Sequence, residues 1–113
     1  MDNVLLAISD PNRRTMLEEL RRGPATVNEL ASTVSIARPG VSRHLRVLRE
    51  AGLVAVQKDA QRRLYSLQPG PLVEVDAWLS NYRAIWEQRM DALHTEVARG
   101  QRAQRHDNQG STK

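Results

Sequence analysis

Arginine side chains recur along residues 37–48 (ARPGVSRHLRVL) at a spacing that places them on one face of a helix. Apolar side chains share the opposite face of this helix: Val41, Leu45 and Leu48. The outward face carries a hydroxyl and two guanidinium groups: Ser42, Arg43 and Arg46. Guanidinium groups donate hydrogen bonds to phosphate oxygens and to base edges. An apolar back with a basic front is therefore what a helix in the major groove of DNA requires.

Positive charge is concentrated around this helix. Residues 38–63 contain seven Arg or Lys residues and two acidic residues, a net charge of +5. Residues 71–98 contain two basic and five acidic residues, a net charge of −3, while the whole chain carries +4. Such a local concentration of positive charge is expected of a surface that faces phosphates.

The composition argues against several classes of function. A chain of 113 residues has the size of one domain without room for a deep catalytic pocket, and the absence of Cys removes disulfides, thiolate metal sites and Cys nucleophiles. We find no nucleophile–base pair, phosphate loop or metal triad, so we expect neither an enzyme nor a cofactor. No apolar run approaches the roughly 18 residues of a membrane helix. No signal peptide opens the chain, so we expect a soluble cytoplasmic protein without membrane contact.

Two helices are predicted before the basic one. Pro11 at a first helical position, with Ser9 or Asp10 as cap, predicts a helix that ends at Gly23-Pro24. Residues 26–29 (TVNE) match a capping box and open a second helix. Its predicted inner face comprises Val27, Leu30, Ala31 and Val34. This helix and the basic helix 38–51 follow each other closely, which predicts a helix-turn-helix.

A β-hairpin is predicted next, from the β-rich residues 53–58 and 63–67 with residues 59–62 between them. Its tip and second strand carry Arg62 and Arg63. A helix-turn-helix followed by a basic hairpin is a winged helix, in which the hairpin tip is placed to contact a neighbouring phosphate or the minor groove. The fold class is thus mainly α with a small β-hairpin.

A long helix is predicted after residues 68–71 (QPGP), extending to about Arg99. An apolar stripe runs along it: Trp78, Tyr82, Ile85, Trp86, Met90, Leu93 and Val97. The division predicted is a DNA-binding and dimerisation domain over residues 1–98, and a polar, disordered tail over residues 99–113. The aromatic side chains of the stripe could line an effector pocket, but a helical aromatic stripe is more often the core of an interface.

The order of these segments over residues 3–98 resembles the winged-helix repressors of the ArsR/SmtB family. The resemblance is carried by residues 8–13 (ISDPNR), 26–31 (TVNELA), 41–53 (VSRHLRVLREAGL) and 62–67 (RRLYSL). Residues 78–93 further resemble a subgroup of this family that lacks metal ligands. The family implies a homodimeric transcription repressor that binds a palindromic operator in double-stranded DNA, with the first and last helices forming the interface.

Two sets of contact residues follow from the pattern and the resemblance together. The expected DNA contacts are Arg38, Pro39, Gly40, Ser42, Arg43, His44, Arg46, Arg62, Arg63 and Tyr65. The expected dimer contacts are Val4, Leu5, Ile8, Trp78, Leu79, Tyr82, Ile85, Trp86, Met90 and Leu93. His44 lies between the inner and outer faces of its helix, so contact with a phosphate and a role in helix packing both stay open.

Three residues depart from the family pattern. Ala37 stands where the family often has a capping Ser, whose loss costs roughly 1 kcal/mol of helix stability. Gly40 replaces a usual Ala, which disfavours the helix by up to about 1 kcal/mol but clears space for DNA. Ala60 stands where the hairpin tip often has Gly.

Metal sensing is disfavoured by the residues at the expected ligand positions. The last-helix spacing falls near Glu74, Asp76, Glu87 and Met90, where both imidazoles of the family pattern are missing. A solvated acidic face accounts for these carboxylates. We therefore expect no metal site.

Two other functions stay open alongside the repressor. The chain could be a winged-helix module that binds a protein instead of DNA, although its basic segment argues against this. It could also be a repressor that responds to a small ligand held between the last helices, and no effector is indicated by the sequence.

Overall fold

The computed structural model describes the backbone of residues 1–107 and the side chains of residues 1–94. The chain divides into two compact units, one formed by Met1–Asp76 and one that begins at Ala77. In chain order the elements are α1 (Asp2–Ile8), α2 (Pro11–Arg22), β1 (Ala25–Thr26), α3 (Val27–Ala31), α4 (Arg38–Glu50), β2 (Val54–Asp59), β3 (Arg62–Leu67) and α5 (Gly70–Asp107).

The start of α2 follows the predicted chemistry. Asp10 has extended backbone angles (φ −94°, ψ 130°), and its side chain accepts a hydrogen bond from the Arg13 backbone N–H at 3.1 Å. Pro11 occupies the first turn, where its missing N–H is not needed. Asp10, not Ser9, is therefore the cap.

The start of α3 is the predicted capping box. Thr26 Oγ1 accepts a hydrogen bond from the Glu29 N–H at 3.2 Å, and Glu29 Oε1 accepts one from the Thr26 N–H at 2.9 Å. The helix ends at Ala31, so Val34 lies beyond it and not on its inner face as predicted. The hydroxyls of Ser32 and Thr33 donate to carbonyls three residues earlier, in competition with helix continuation.

The hairpin is present and belongs to a three-stranded antiparallel sheet of order β1-β3-β2. β2 and β3 pair from Val54↔Leu67 to Asp59↔Arg62, which leaves a two-residue turn instead of the four residues predicted. Within this turn Ala60 has φ +56°, a left-handed conformation that costs a residue with a Cβ about 1 kcal/mol. β1, which the sequence did not predict, pairs with β3 through Ala25↔Tyr65.

The core of the first unit is apolar and joins its helices to the sheet. It includes the predicted back of α4. The buried apolar residues are Val4, Ala7, Met16, Leu20, Ala25, Leu30, Val41, Leu45, Leu48, Leu53, Val54, Tyr65 and Val75. Burial of the α4 back fixes which side chains of this helix face solvent.

The second unit is the remainder of α5, whose backbone is helical to Asp107 and does not end near Arg99. No Pro follows Pro71, and a single Gly at position 100 disfavours a helix by only about 1 kcal/mol, which does not terminate it. The disordered tail was predicted over residues 99–113, but the backbone of residues 99–107 is helical. Residues 108–113 lie outside the described residues, so the prediction is untested there. In the part of the chain that is described, no helix is long and apolar enough to cross a membrane.

Candidate nucleic-acid interface

The outward face of α4 is basic over its whole length. Because the apolar back of the helix is buried, the side chains that remain exposed are Arg38, Pro39, Ser42, Arg43, Arg46, Arg49 and Glu50. Thirteen residues make a helix about 20 Å long, which fits a major groove about 12 Å wide when its long axis follows the groove. The only acid on this face lies at the last residue of the helix.

The start of α4 and the tip of the hairpin border the same open cleft. Arg38 from α4 and Arg62 and Arg63 from β3 line a cavity of about 600 Å³, together with residues 26–29 at the start of α3. Three guanidinium groups from two elements therefore surround one open space. Such an arrangement can hold phosphate oxygens, which Arg binds with two parallel hydrogen bonds.

The hairpin carries like charges on neighbouring strands. Lys58 on β2 lies directly opposite Arg63 on β3, a cross-strand pair that destabilises a sheet. At the next position Arg62 donates a hydrogen bond to Asp59 at 3.1 Å, but both side chains are more than half exposed, so the pair is weak. An anion bound at the tip would relieve the Lys58–Arg63 repulsion.

Arg46 and Arg49 border a second open cleft farther along α4. Its other wall is formed by residues 54–56 of β2, and its volume is about 450 Å³. Each cleft contains one acid, Glu29 in the first and Glu50 in the second, but the first has three arginines and the second has two, so the second is less positive. The strongest positive field is therefore expected at the start of α4, near the hairpin tip.

Two of the expected DNA contacts, Tyr65 and Gly40, do not present a side chain to solvent. Tyr65 is only 6% exposed and pairs with Ala25 in the middle of the sheet, so its ring belongs to the core. A Cβ built on Gly40 would lie 3.4 Å from Ile36 Cδ1, an ordinary contact within the chain itself. Pro39, by contrast, is exposed in the first turn of α4.

His44 packs against the start of α2. Its Nδ1 lies 3.0 Å from Nη1 of Arg13, and its Nε2 lies 3.8 Å from Oδ2 of Asp10. The side chain is 17% exposed. Of the two roles that the sequence left open for His44, these contacts favour helix packing.

The carboxyl of Asp10 is held in its charged form. Partial burial raises its pKa, but the Arg13 N–H bond and the nearby His44 and Arg13 side chains outweigh this effect and lower the pKa overall. Arg13 was not among the candidate residues from the sequence. The signal that could have found it is the Asp-Pro-Asn-Arg run, because an Arg three residues after a capping Asp lies beside that cap.

The expected dimer contacts differ in exposure. On α1, Val4 is buried in the core of its own chain, while Leu5 and Ile8 are half-buried. On α5, Leu79 is half-buried and six large apolar side chains are 43–56% exposed: Trp78, Tyr82, Ile85, Trp86, Met90 and Leu93. The rings of Trp78 and Tyr82 contact each other, with centroids 5.1 Å apart. Among the residues that the structure describes, no cluster of three or more His, Asp or Glu could hold a metal ion.

A helix-turn-helix with a basic outer face and a hairpin wing beside it defines the winged-helix class of proteins. A family model described as a helix-turn-helix domain matches residues 8–57. The transcriptional repressor SdpR of Bacillus subtilis is 35% identical to this chain over 82 residues, which cover 73% of this chain and 91% of SdpR.

Two further relatives agree with this match. The HTH-type transcriptional regulator Rv2034 of Mycobacterium tuberculosis is 38% identical over 72% of this chain and 76% of its own length. The crystal structure of an ArsR family transcriptional regulator, RHA00566, superposes with a TM-score of 0.68 at 35% identity, covering 76% of this chain and 89% of that one. The chain belongs to the ArsR/SmtB family of DNA-binding transcription regulators.

Proposed function

We propose that this protein is a homodimeric repressor that binds a palindromic operator in double-stranded DNA. The observation that carries the proposal is the outward face of α4, which presents four arginines and a serine and no acid before Glu50, on a helix whose back is buried. The contacts proposed for base edges and phosphates in the major groove come from α4: Arg38, Ser42, Arg43 and Arg46. Arg62 and Arg63 at the wing would hold the flanking backbone.

The proposed dimer forms through α1 and α5. The exposed apolar stripe of α5 is a continuous surface of the kind that marks interfaces in soluble proteins. Leu5 and Ile8 on α1 are further proposed dimer contacts. A two-fold axis would then place two copies of α4 in successive major grooves about 34 Å apart, which makes the operator palindromic.

Repression, and not activation, is proposed because SdpR is named as a repressor. A dimer on a promoter would block access of the polymerase. A regulator of this kind acts where the chromosome is, which in bacteria is the cytoplasm. The same relatives support a regulator and not an enzyme. The absence of His at the family's ligand positions near Glu74, Asp76 and Glu87 supports a regulator that is independent of metal.

The decisive experiment is selection of bound duplexes from random DNA by the purified protein. We expect enrichment of a palindrome whose half-sites lie one helical turn apart. Fluorescence anisotropy on the selected duplex then compares two substitutions of equal charge change. Arg43→Ala on α4 should weaken binding by roughly tenfold or more, since a bidentate contact to guanine contributes about 1–3 kcal/mol.

Arg21→Ala is the matched control, because Arg21 is exposed on α2 and pairs with Glu18 there. We expect it to leave the affinity nearly unchanged. Affinity of the unsubstituted protein should also fall steeply with salt, as phosphate contacts release counterions. Equal loss from both substitutions would contradict the proposed surface, and failure to enrich any duplex would favour a module that binds protein instead.

A further inference from the structure

We propose that Arg13 and His44 are positioning residues for the recognition helix α4, an inference that rests on the proposed binding of DNA by that helix. Neither side chain needs to touch DNA for this role. Together they connect the carboxyl end of α1, the start of α2 and the middle of α4. The buried back of α4 selects which side chains are exposed, and the Arg13–His44 hydrogen bond would limit the remaining rotation and shift of the helix, and so the direction in which these exposed side chains point.

The Arg13 guanidinium uses all three of its nitrogens within the protein. Its Nε donates to the Ala7 carbonyl at 2.6 Å and its Nη2 donates to the Leu6 carbonyl at 3.0 Å, both at the end of α1. Its Nη1 lies 3.0 Å from His44 Nδ1. Because Arg has only donors, Nδ1 of His44 must accept this bond. The direction of the hydrogen bond is therefore fixed.

The second nitrogen of the imidazole faces a carboxylate from the same end of α2. His44 Nε2 lies 3.8 Å from Asp10 Oδ2, and this oxygen also accepts the Arg13 backbone N–H. The ring is thus enclosed between a cation and an anion that are three residues apart on one element. Both charged partners are held by the capping turn of α2, so the ring meets a rigid surface.

This contact constrains α4 in a way that the apolar core does not. A rotation of the helix by a whole residue, which turns its side chains by 100° and shifts them by 1.5 Å, would expose Val41, Leu45 and Leu48, so the core already excludes it. Smaller rotations are less well excluded, because these aliphatic side chains bind through non-directional contacts. The Arg13–His44 bond is directional, so it weakens under rotations that the core still tolerates. The neighbouring Arg43 moves with His44, and its direction toward DNA is set by the same bond.

Arg14 is a natural control for Arg13. Its Nη1 donates to the Ile8 carbonyl at 2.8 Å, so it carries the same charge and also binds the end of α1. That hydrogen bond does not connect α1 to α4. Replacement of Arg14 therefore removes one bond to α1 without removing the Arg13–His44 contact.

The experiment compares His44→Leu with His44→Asn in the full chain, on the selected duplex and on a scrambled duplex. Leu fills the space without an acceptor, whereas the Asn Oδ1 lies close to the position of Nδ1 and can accept from Arg13. We expect His44→Leu to weaken binding to the selected duplex about tenfold, given the strength of hydrogen bonds to charged groups. His44→Asn should restore most of this loss. Affinity for the scrambled duplex and the salt dependence should not change, because no phosphate contact is removed.

Arg13→Ala and Arg14→Ala complete the set. Both should lower the stability to urea, but only Arg13→Ala should also lower the affinity for the selected duplex, and it should add little when combined with His44→Leu. If Arg13→Ala does not fold, the comparison of His44→Leu with His44→Asn still tests the positioning role.

Three results would overturn the proposal. The first is a His44→Leu variant that binds the selected duplex like the unsubstituted protein. The second is a loss shared by both His44 variants together with a shallower salt dependence, which would indicate direct phosphate contact. If the unsubstituted protein binds no duplex at all, the proposed function itself fails and the positioning role fails with it.

Discussion

The two units of the chain differ in where their apolar side chains lie. All the buried apolar residues among the described side chains fall between Val4 and Val75, within the first unit. In the second unit six large apolar side chains between Trp78 and Leu93 are about half exposed, and Leu79 is half-buried. The first unit therefore has a core of its own, whereas residues 77–94 of the second unit have apolar surface and no buried apolar side chain.

This difference indicates that the two units are stabilised in different ways, the first by packing within the chain and the second, in the proposed dimer, by packing against a partner. A helix that exposes two tryptophans and several aliphatic side chains to water gains little from folding by itself, because most helical stability in proteins comes from packing of an apolar face. The first unit has such packing within one chain, whereas the described apolar face of the second unit is left about half exposed. We propose that a second copy of the chain covers this face. Substitutions in the second unit should then affect dimerisation, and substitutions in the first unit should affect folding.

The largest expected effect is on the second unit. Trp86→Glu places a charge within the exposed apolar stripe, and we expect it to weaken dimerisation by roughly a hundredfold or more, as central aromatic residues dominate interface energies. Sedimentation equilibrium would measure the dissociation constant. Circular dichroism should still report a folded first unit.

Ala84→Glu is the matched control for this substitution. Ala84 is exposed on the same helix, and at 100° per residue it lies on the face opposite the stripe. It adds the same charge and should leave dimerisation nearly unchanged. If both variants dissociate equally, the added charge and not the loss of an apolar contact causes dissociation. The exposed apolar stripe of the second unit would then not be the dimer interface.

A smaller effect is expected at the start of α4, which lacks the side-chain cap that α2 and α3 have. Asp10 and Thr26 cap α2 and α3 with side-chain oxygens, whereas Ala37 has the same extended backbone (φ −68°, ψ 154°) and no capping side chain. Ala37→Thr should raise the free energy of unfolding by about 1 kcal/mol. Urea denaturation would measure it.

Ala37→Val tests whether the oxygen causes the gain. Val has the shape of Thr but no acceptor, so we expect no stabilisation from it. A gain of similar size from Val would mean that the β-branched shape of the side chain, and not the hydroxyl oxygen, stabilises the start of α4.

Local signals in the sequence predicted most of the fold of the first unit. The cap at Asp10, the capping box of Thr26 and Glu29, and the bounds of α4 depend on neighbouring residues, and each was found. β1 was missed because two residues carry no periodic pattern, and its strand depends on pairing with residues about 40 positions away. The early end of α3 depends on hydroxyl bonds from Ser32 and Thr33 that compete with the helix.

The candidate site was predictable to a similar extent. The exposed arginines of α4 and the wing follow from helical and strand geometry, and they lie at the surface as expected. The orientation of Tyr65 did not follow, because Leu64 and Tyr65 are adjacent and apolar, so alternation does not show which side chain faces the core. The contact of His44 with Arg13 did not follow either, since the Asp-Pro-Asn-Arg run indicates Arg13 beside the α2 cap but not beside His44, which lies 31 positions away on another helix.

The smallest expected effect concerns acid and is confined to the first unit, where Asp10 and Glu29 serve as caps. Hydrogen bonds from the Thr26 backbone and hydroxyl lower the pKa of Glu29, as does the charge of Arg62, and the pKa of Asp10 is also lowered. A carboxyl with a lower pKa in the folded state binds fewer protons there than in the unfolded chain. Its contribution is complete above the unfolded pKa, near pH 4, and is lost as the pH falls through the folded pKa.

The double variant Asp10→Asn, Glu29→Gln tests this pH dependence, since Asn still caps a helix and Gln still completes a capping box, but neither titrates. Urea denaturation between pH 6 and about pH 3 should show a smaller loss of stability for the double variant than for the unsubstituted protein. Because both carboxylates are close to the surface, the difference should be modest. Parallel curves for the two proteins would show that other carboxylates cause the acid loss, and that the caps stabilise their helices equally well when protonated.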